Sequence, residues 1–401
     1  MCRRKAILCG VLMMACSSTG DGEDAGRDGD SDSGVDSDSA IDSAVDVPDA
    51  NLPEPLADYL SEGPLPVGNL RFELTDDARS RTLPVELWYP ADESARAEAE
   101  AGQSIAAFER EPPRDEVFAG LLADAPDCVR AQTRSANAPA PAEGPWPLVV
   151  FSHCHSCTRF DVAFVAERLA SFGIAVAAPD HEGNTLWDEL NGESAAVGEE
   201  FLNVRVADMQ FVRTALLEGT QVPDAVQGRF DEARVGVMGH SFGAATAGIT
   251  AARDSRFRAG LAMAAPLTAL GGDVEIRNLT TPFLFLVADE DNSIGTLGNM
   301  LIRTEHRRID SASLLVEVED AGHWSFSDYP GLVDLFAAGC GMGERQTVPG
   351  EVFSYRDPDE AREIAGGAAV GWFAQHFLND PGGTTALRRG HPAGGVRVSA
   401  N

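Results

Sequence analysis

The segment 234–252 constrains the fold more than any other part of this chain. It reads as a short apolar strand over 235–238, a Gly-x-Ser-x-Gly turn centred on Ser241, and a helix of small residues. Gly239 and Gly243 flank the serine where a side chain would keep strand and helix apart. Such a turn strains the serine backbone and exposes its hydroxyl near a helix N-terminus. The pattern predicts Ser241 as a nucleophile, against the alternative of a plain tight turn in a chain with 40 glycines.

The composition fits a globular chain that carries one acidic, low-complexity segment. With 401 residues, 44% of them hydrophobic, the chain has enough apolar surface for one large α/β domain or two small ones. Residues 17–52 are rich in Asp and Ser and are predicted to form a disordered tether. The formal charge of -32, without a basic patch, argues against nucleic acid as a partner.

The N-terminus predicts export. Arg3-Arg4-Lys5 precedes an apolar stretch over 6–15 that is too short to span a bilayer, which indicates a signal peptide over 1–16. Met13-Met14-Ala15-Cys16 is similar to a bacterial lipobox, so we expect lipidation at Cys16 and a membrane-anchored protein of the periplasm or cell surface. The alternative is an ordinary cleaved signal peptide.

Four cysteines remain after that segment, and export to an oxidising compartment favours disulfides among them. Three connectivities are possible, of which Cys154–Cys157 with Cys128–Cys340 is the favoured one. A zinc site in the His-Cys-His-Ser-Cys run over 153–157 is disfavoured, because its ligand types are too crowded for one tetrahedral ion.

The folded part alternates short apolar strands with helices, so its predicted class is α/β with a mostly parallel central sheet and helices on both faces. Its catalytic domain is predicted over 53–380, with an insertion over 91–147, and residues 381–401 are predicted to be a flexible tail. The insertion is expected to hold a helix over 104–123 that Pro112-Pro113 interrupts. Strands are predicted over 67–75, 83–89, 148–152, 174–178, 235–238, 261–264, 283–287 and 314–318, and helices over 159–172, 201–217, 241–253 and 361–377.

A serine nucleophile needs a base and an acid that orients it. His323 follows the last predicted strand, and Gly322 gives its loop the freedom to place an imidazole over Ser241; a structural histidine is the alternative. The acid is expected after the strand 283–287, where Asp291 is favoured, Asp289 is second and Glu290 is least favoured because it would face the other way.

Two backbone N–H groups must stabilise the oxyanion. Phe242, directly after the nucleophile, supplies one. The loop after strand 148–152 reads His153-Cys154-His155, where many hydrolases carry His-Gly-x with x as the donor, so His155 is the second candidate and His153 is expected to hold the loop. Cys154 lacks the strand–turn–helix context of a nucleophile.

With these residues in place, the chain resembles the α/β-hydrolases grouped with platelet-activating factor acetylhydrolases and predicted dienelactone hydrolases. The resemblance covers residues 67–378 in order. It implies an α/β-hydrolase fold and carboxylic ester hydrolysis without a metal or organic cofactor. The matching phrases are Pro84-Val85-Glu86-Leu87-Trp88-Tyr89-Pro90, Val150-Phe151-Ser152-His153, Ala178-Pro179-Asp180-His181, Gly239-His240-Ser241-Phe242-Gly243 and Gly322-His323-Trp324-Ser325-Phe326.

The predicted function is therefore that of an exported or lipid-anchored serine esterase that acts on a small-molecule or lipid ester. Two alternatives stay open: a catalytically silent surface lipoprotein that uses the same fold for binding, and a lipase or polyesterase for longer substrates. The substrate pocket is expected from residues 184–203, 266–281 and 325–355.

Overall fold

The structure is a computed structural model that describes residues 52–337, 339–348 and 350–401. The predicted signal peptide, the lipidation site Cys16 and nearly all of the tether over 17–52 lie outside the described residues. Within the described ranges, no helix combines the length and the apolar character needed to cross a membrane.

Twelve strands are formed in the part of the chain that the structure describes. They are Val67–Asp76 (β1), Arg81–Pro90 (β2), Ala136–Asn137 (β3), Trp146–Ser152 (β4), Ala175–Pro179 (β5), Phe230–His240 (β6), Ala259–Met263 (β7), Phe283–Ala288 (β8), Ser313–Val318 (β9), Met342–Glu344 (β10), Val352–Ser354 (β11) and Val396–Ala400 (β12).

Nine α-helices accompany these strands in the same described ranges. They are Arg96–Ala101 (α1), Arg114–Ala123 (α2), Ala163–Ser171 (α3), Leu186–Leu190 (α4), Glu199–Glu218 (α5), Phe242–Arg253 (α6), Gly295–Arg308 (α7), Pro358–Phe377 (α8) and Thr385–Arg388 (α9).

Ten of the described strands form one sheet in the order β12-β9-β8-β7-β6-β4-β5-β2-β1-β3. The six strands from β9 to β5 are parallel to one another, while β2, β1 and β12 attach by antiparallel pairing. Because the central strands are parallel, their carboxyl ends lie at one edge of the sheet, where the loops that carry the predicted site begin. The predicted α/β class with a mostly parallel sheet is confirmed.

The sheet is buried on both faces, which explains why its strands are continuously apolar. Successive residues of β4 alternate between two apolar clusters: Val149 and Phe151 belong to one, and Leu148 and Val150 to the other. Helices α3 and α8 contribute to the first cluster, and α5, α6 and α7 to the second. This double packing fixes the sheet edge from which the site loops emerge.

The predicted central strands are all present, with ends shifted by a few residues. The helix predicted over 159–172 begins later, at Ala163, because Arg159 has a different role. Its backbone N–H and its guanidinium each donate to Asp180, at 2.7 Å in both cases, and Glu86 also binds the guanidinium, at 3.0 Å. These buried ion pairs hold residue 159 in the loop ahead of α3.

The prediction that residues 381–401 form a flexible tail is wrong. Residues of this segment form α9 and β12, and β12 pairs antiparallel with β9 at the edge of the sheet. The strand was not predicted because the segment is rich in Gly and Arg, although Val396-Arg397-Val398 alternates apolar and polar residues as a strand does. The two valines pack against the apolar cluster that contains α3 and α8. Arg397 also forms an ion pair with Asp289 at 2.6 Å.

The insertion over 91–147 covers the start of α3. As the paired prolines predict, its helical part is divided, with a 3-10 turn over Ile105–Phe108 and then α2. Phe108 and Phe118 from these two pieces pack on Phe160 with ring centroids 5.5 and 5.4 Å away. The structure also pairs Cys128 with Cys340 and Cys154 with Cys157, as the sequence favoured.

Candidate active site

Ser241 lies in the sharp turn between β6 and α6. Its backbone has φ 56° and ψ -121°, a left-handed conformation that side chains rarely adopt, and its N–H donates to the carbonyl of Met263 at 2.8 Å. A Cβ added at Gly239 would overlap the carbonyl of Gly243, and one added at Gly243 would overlap the carbonyl of Ser152. The glycines are therefore required for the close approach of β6, α6 and β4 that produces this turn.

Asp291 and His323 meet in a buried hydrogen bond. Asp291 follows β8 and His323 follows β9, and Oδ2 of Asp291 lies 2.7 Å from Nδ1 of His323. The other carboxylate oxygen of Asp291 accepts the backbone N–H groups of Ser293 and Ile294 at 3.0 Å each. The side chains of His323 and Asp291 are 1% and 0% exposed, so solvent does not compete for this contact. The imidazole is thereby held with Nε2 as its free ring nitrogen.

The two neighbouring carboxylates are engaged elsewhere. Asp289 binds Arg303 at 3.0 Å and Arg397 at 2.6 Å, and burial raises the pKa of Asp289 while Arg397 opposes that rise. Glu290 binds Arg345 at 2.9 Å. Of the three carboxylates that the sequence offered as the acid, the structure brings only Asp291 to His323.

The loop of His323 reaches the serine turn through His240, the residue before Ser241. Nε2 of His240 lies 3.1 Å from the backbone carbonyl of His323, and the two rings lie 5.1 Å apart between centroids. Nδ1 of His240 lies 3.3 Å from the buried carboxylate of Asp161. Sequence reasoning missed this bridge, although His240 stands inside the Gly-x-Ser-x-Gly motif.

The two residues predicted to supply the oxyanion donors have side chains that lie near each other. Phe242 is the first residue of α6, and its ring centroid lies 6.5 Å from that of His155 in the loop after β4. Nε2 of His153 accepts the backbone N–H of His181 at 3.0 Å, so its Nδ1 carries the hydrogen and donates to the carbonyl of Cys154 at 2.7 Å. The carbonyl and N–H of a trans peptide point in opposite directions, so this bond turns the His155 N–H away from His153.

The surroundings of both histidines in this loop favour the neutral imidazole. Burial lowers the pKa of His153 well below its usual value, and the positive charge of Arg205 lowers it further. Burial and Arg205 also lower the pKa of His155. Arg205 lies on α5 and was not identified from the sequence, because an arginine in an acidic helix reads as a solvent-facing residue.

The Cys154–Cys157 disulfide closes the same loop. The two sulfurs and the carboxylate of Asp161 form the one group of three potential metal ligands found in the described part of the chain, all within 4.8 Å. Because the sulfurs are bonded to each other, they offer no thiolate to a metal, and Cys154 offers none to a substrate.

Comparison with known proteins finds similarity in sequence and in fold. The family model described as platelet-activating factor acetylhydrolase, isoform II, matches residues 202–377, a range that includes Ser241, Asp291 and His323. A solved ferulic acid esterase from Streptomyces cinnamoneus superimposes with a TM-score of 0.63 and 23% identity, covering 83% of this chain and 96% of that one. The chain has the α/β-hydrolase fold, and its residues 202–377 are similar to the platelet-activating factor acetylhydrolases.

Two relatives indicate how far this likeness extends. The platelet-activating factor acetylhydrolase of Gallus gallus is 27% identical to this chain over 274 residues, which are 58% of this chain and 62% of the relative. A probable 1-alkyl-2-acetylglycerophosphocholine esterase of Arthroderma benhamiae is 29% identical over 210 residues, which are 47% of this chain and 50% of the relative. The chain thus spans less than two thirds of these curated relatives.

Proposed function

We propose that this α/β-hydrolase is a serine esterase in which Ser241 is the nucleophile, His323 the general base and Asp291 the residue that orients the base. The observation that carries the proposal is the buried 2.7 Å contact of Asp291 with His323, whose loop is joined through His240 to the turn that holds Ser241 at φ 56°. A neutral imidazole with its Nδ1–H bound to a carboxylate presents a basic Nε2, which is what a serine hydroxyl requires.

The reaction proceeds in two halves. Oγ of Ser241 attacks the ester carbonyl carbon while its proton passes to Nε2 of His323, and the carbonyl oxygen becomes an oxyanion held by the N–H groups of Phe242 and His155. The carbon–oxygen bond to the alcohol breaks, and the alcohol leaves with the proton from His323. Water then attacks the acyl-serine, gives a proton to His323, and the carboxylic acid is released as Ser241 recovers its hydrogen.

The proposed substrates are esters with a short acyl group. The Gallus gallus and Arthroderma benhamiae relatives are named for acetyl substrates. In this chain, the residues around the serine are closely packed, since His323 is 1% exposed and Phe242 is 3% exposed.

A chain-length series tests this substrate class. The purified protein is assayed with p-nitrophenyl esters from acetate to palmitate, with Ser241→Ala as the matched inactive control. We expect kcat/KM to be highest for acetate or butyrate. A maximum at palmitate would favour a lipase, and no turnover by folded protein would favour a binding role for the same fold.

We further propose that the protein is exported and anchored through a lipid on Cys16. The basic start, the apolar stretch over 6–15 and the cysteine support the proposal, and so do two disulfides, which form in oxidising compartments. Metabolic labelling with a palmitate analogue in a bacterial host tests it. Wild-type protein should be labelled in the membrane fraction and Cys16→Ala should not; an unlabelled wild type would refute the anchor.

A further inference from the structure

A fully buried arginine stands beside the proposed oxyanion hole without a carboxylate bound to it. Arg205 lies on α5 with its side chain 0% exposed. Its hydrogen bonds go to neutral groups: Oδ1 of Asn184 at 2.7 Å, Oγ of Ser152 at 3.1 Å, and the carbonyl of His153. Its Nε has no hydrogen-bond partner among the described residues. Burying a cation in this way is costly, so its position calls for a function.

The guanidinium contacts the surroundings of both proposed oxyanion donors. It lies over the ring of Phe242, with Cζ 4.6 Å from the ring centroid. It binds the carbonyl of His153 directly, and Asn184 connects it to His155, since Nδ2 of Asn184 lies 2.7 Å from Nδ1 of His155. A single side chain therefore fixes the loop that presents one N–H donor and the ring of the residue that presents the other.

The charge of Arg205 is also placed where the reaction creates an anion. In the dry interior, charges interact far more strongly than in water. The resting site offers this cation no bound carboxylate, whereas the tetrahedral intermediate carries a full negative charge at the N–H groups of Phe242 and His155. The interaction is thus stronger in the transition state than in the resting enzyme, which is the condition for raising kcat.

We propose that Arg205 is a positioning residue of the oxyanion hole, which orders the loop 153–155 and the Phe242 ring and places an unpaired positive charge behind the two N–H donors. This inference rests on the proposed esterase function.

The test compares three variants. Arg205→Met removes the charge at similar length, Arg205→Lys keeps it, and Arg213→Met removes another arginine of α5. Arg213 is a matched control because it is 6% exposed, lies about two turns further along α5, and has its Cζ 5.9 Å from the centroid of the Phe257 ring. For each protein we measure the circular dichroism, kcat and KM for p-nitrophenyl acetate, and inhibition by phenylboronic acid, whose serine adduct is a tetrahedral anion.

For Arg205→Met we expect kcat to fall about 100-fold or more, the scale of losing one oxyanion donor, and the boronic acid to bind correspondingly less tightly. KM should change by less than about 3-fold, because the ground-state ester is neutral. Arg205→Lys should retain more of kcat than Arg205→Met, and Arg213→Met should stay close to the wild type.

The dependence of kcat on pH distinguishes the loss of a charge from the loss of packing, because packing alone would not change the pH at which kcat falls. Burial lowers the pKa of Arg205 to about 9, opposed by Asp208 and Asp161. Because the ordinary pKa of lysine, about 10.4, lies below that of arginine, Arg205→Lys should lose kcat at a lower alkaline pH than the wild type. The titratable and charged groups that face residue 205 are His153, His155, His181, Asp161 and Asp208.

Folded Arg205→Met with kcat within about 3-fold of the wild type would overturn the inference, and so would a loss confined to KM. If Arg205→Met does not fold, the pH dependence of kcat for Arg205→Lys decides. A loss of kcat at a lower pH than in the wild type supports the inference, and a loss at the same pH refutes it. A wild type that hydrolyses no ester would instead refute the proposed function, so the two failures are distinguishable.

Discussion

Replacing Asp291 with asparagine should change the hydrogen-bonding form of His323 while leaving the fold in place. Oδ1 of Asp291 accepts two backbone N–H groups, so the amide oxygen of the asparagine must take that position and its NH₂ must face the imidazole. Nδ1 of His323 then becomes an acceptor, and the hydrogen moves to Nε2. A base that already carries a hydrogen on Nε2 cannot remove the proton of Ser241.

The expected loss is large because the wrong tautomer blocks the first step. In other serine hydrolases, this change at the triad carboxylate lowers kcat by about 10⁴-fold, and for Asp291→Asn we expect about 10³–10⁴-fold, or about 4–5.5 kcal/mol of barrier. The assay is steady-state hydrolysis of p-nitrophenyl acetate, with circular dichroism to confirm folding.

Asp289→Asn is the matched control. That residue binds Arg303 and Arg397, whose side chains are 34% and 57% exposed, and such partly exposed pairs contribute about 1 kcal/mol or less to stability. Its kcat should stay within about 3-fold of the wild type. The reasoning would be refuted if Asp289→Asn lost more activity than Asp291→Asn.

Two further predictions concern stability. Burial lowers the pKa of His306 to about 4, whereas an unfolded histidine titrates near 6.5. Between these two pH values, the unfolded chain therefore binds more protons than the folded chain. The free energy of unfolding should fall as the pH drops from about 6.5 to 4. Urea titrations should show a shallower fall in His306→Gln, and an equal slope would contradict the assignment. The Cys128–Cys340 disulfide has a sequence separation of 212 residues, and the Cys154–Cys157 disulfide has one of 3. On the chain-entropy model, replacing Cys128 and Cys340 with alanines should lower the free energy of unfolding by about 5 kcal/mol, and replacing Cys154 and Cys157 should lower it by about 2 kcal/mol. Calorimetry on the two double variants checks the order, and a larger loss for the 154/157 variant would contradict it.

The sequence predicted those parts of the molecule that local patterns determine. The serine turn is specified by the small residues around Ser241, whose glycines are needed for close backbone approach, and the central strands follow from continuous apolar runs. His323 and its place after the last central strand could be predicted because chain order in a parallel sheet determines which loops meet.

Other features depend on contacts between distant segments. The sequence already favoured Asp291 over Asp289, but not the arginines that bind Asp289, and one of them, Arg397, lies in the segment predicted to be a flexible tail. The burial of Arg205 beside Phe242 results from the packing of α5 against α6, which helical periodicity in an acidic segment does not reveal. Sequence patterns thus indicated the reacting groups but not the charges that position them.

The most direct test of the account is covalent labelling of the folded protein with a fluorophosphonate probe, followed by mass-spectrometric mapping of the adduct. The account predicts one adduct, on Ser241, that is absent from Ser241→Ala and formed much more slowly in Asp291→Asn. An adduct on another residue, or no adduct on wild-type protein shown to be folded, would contradict the assignment of Ser241 as the nucleophile.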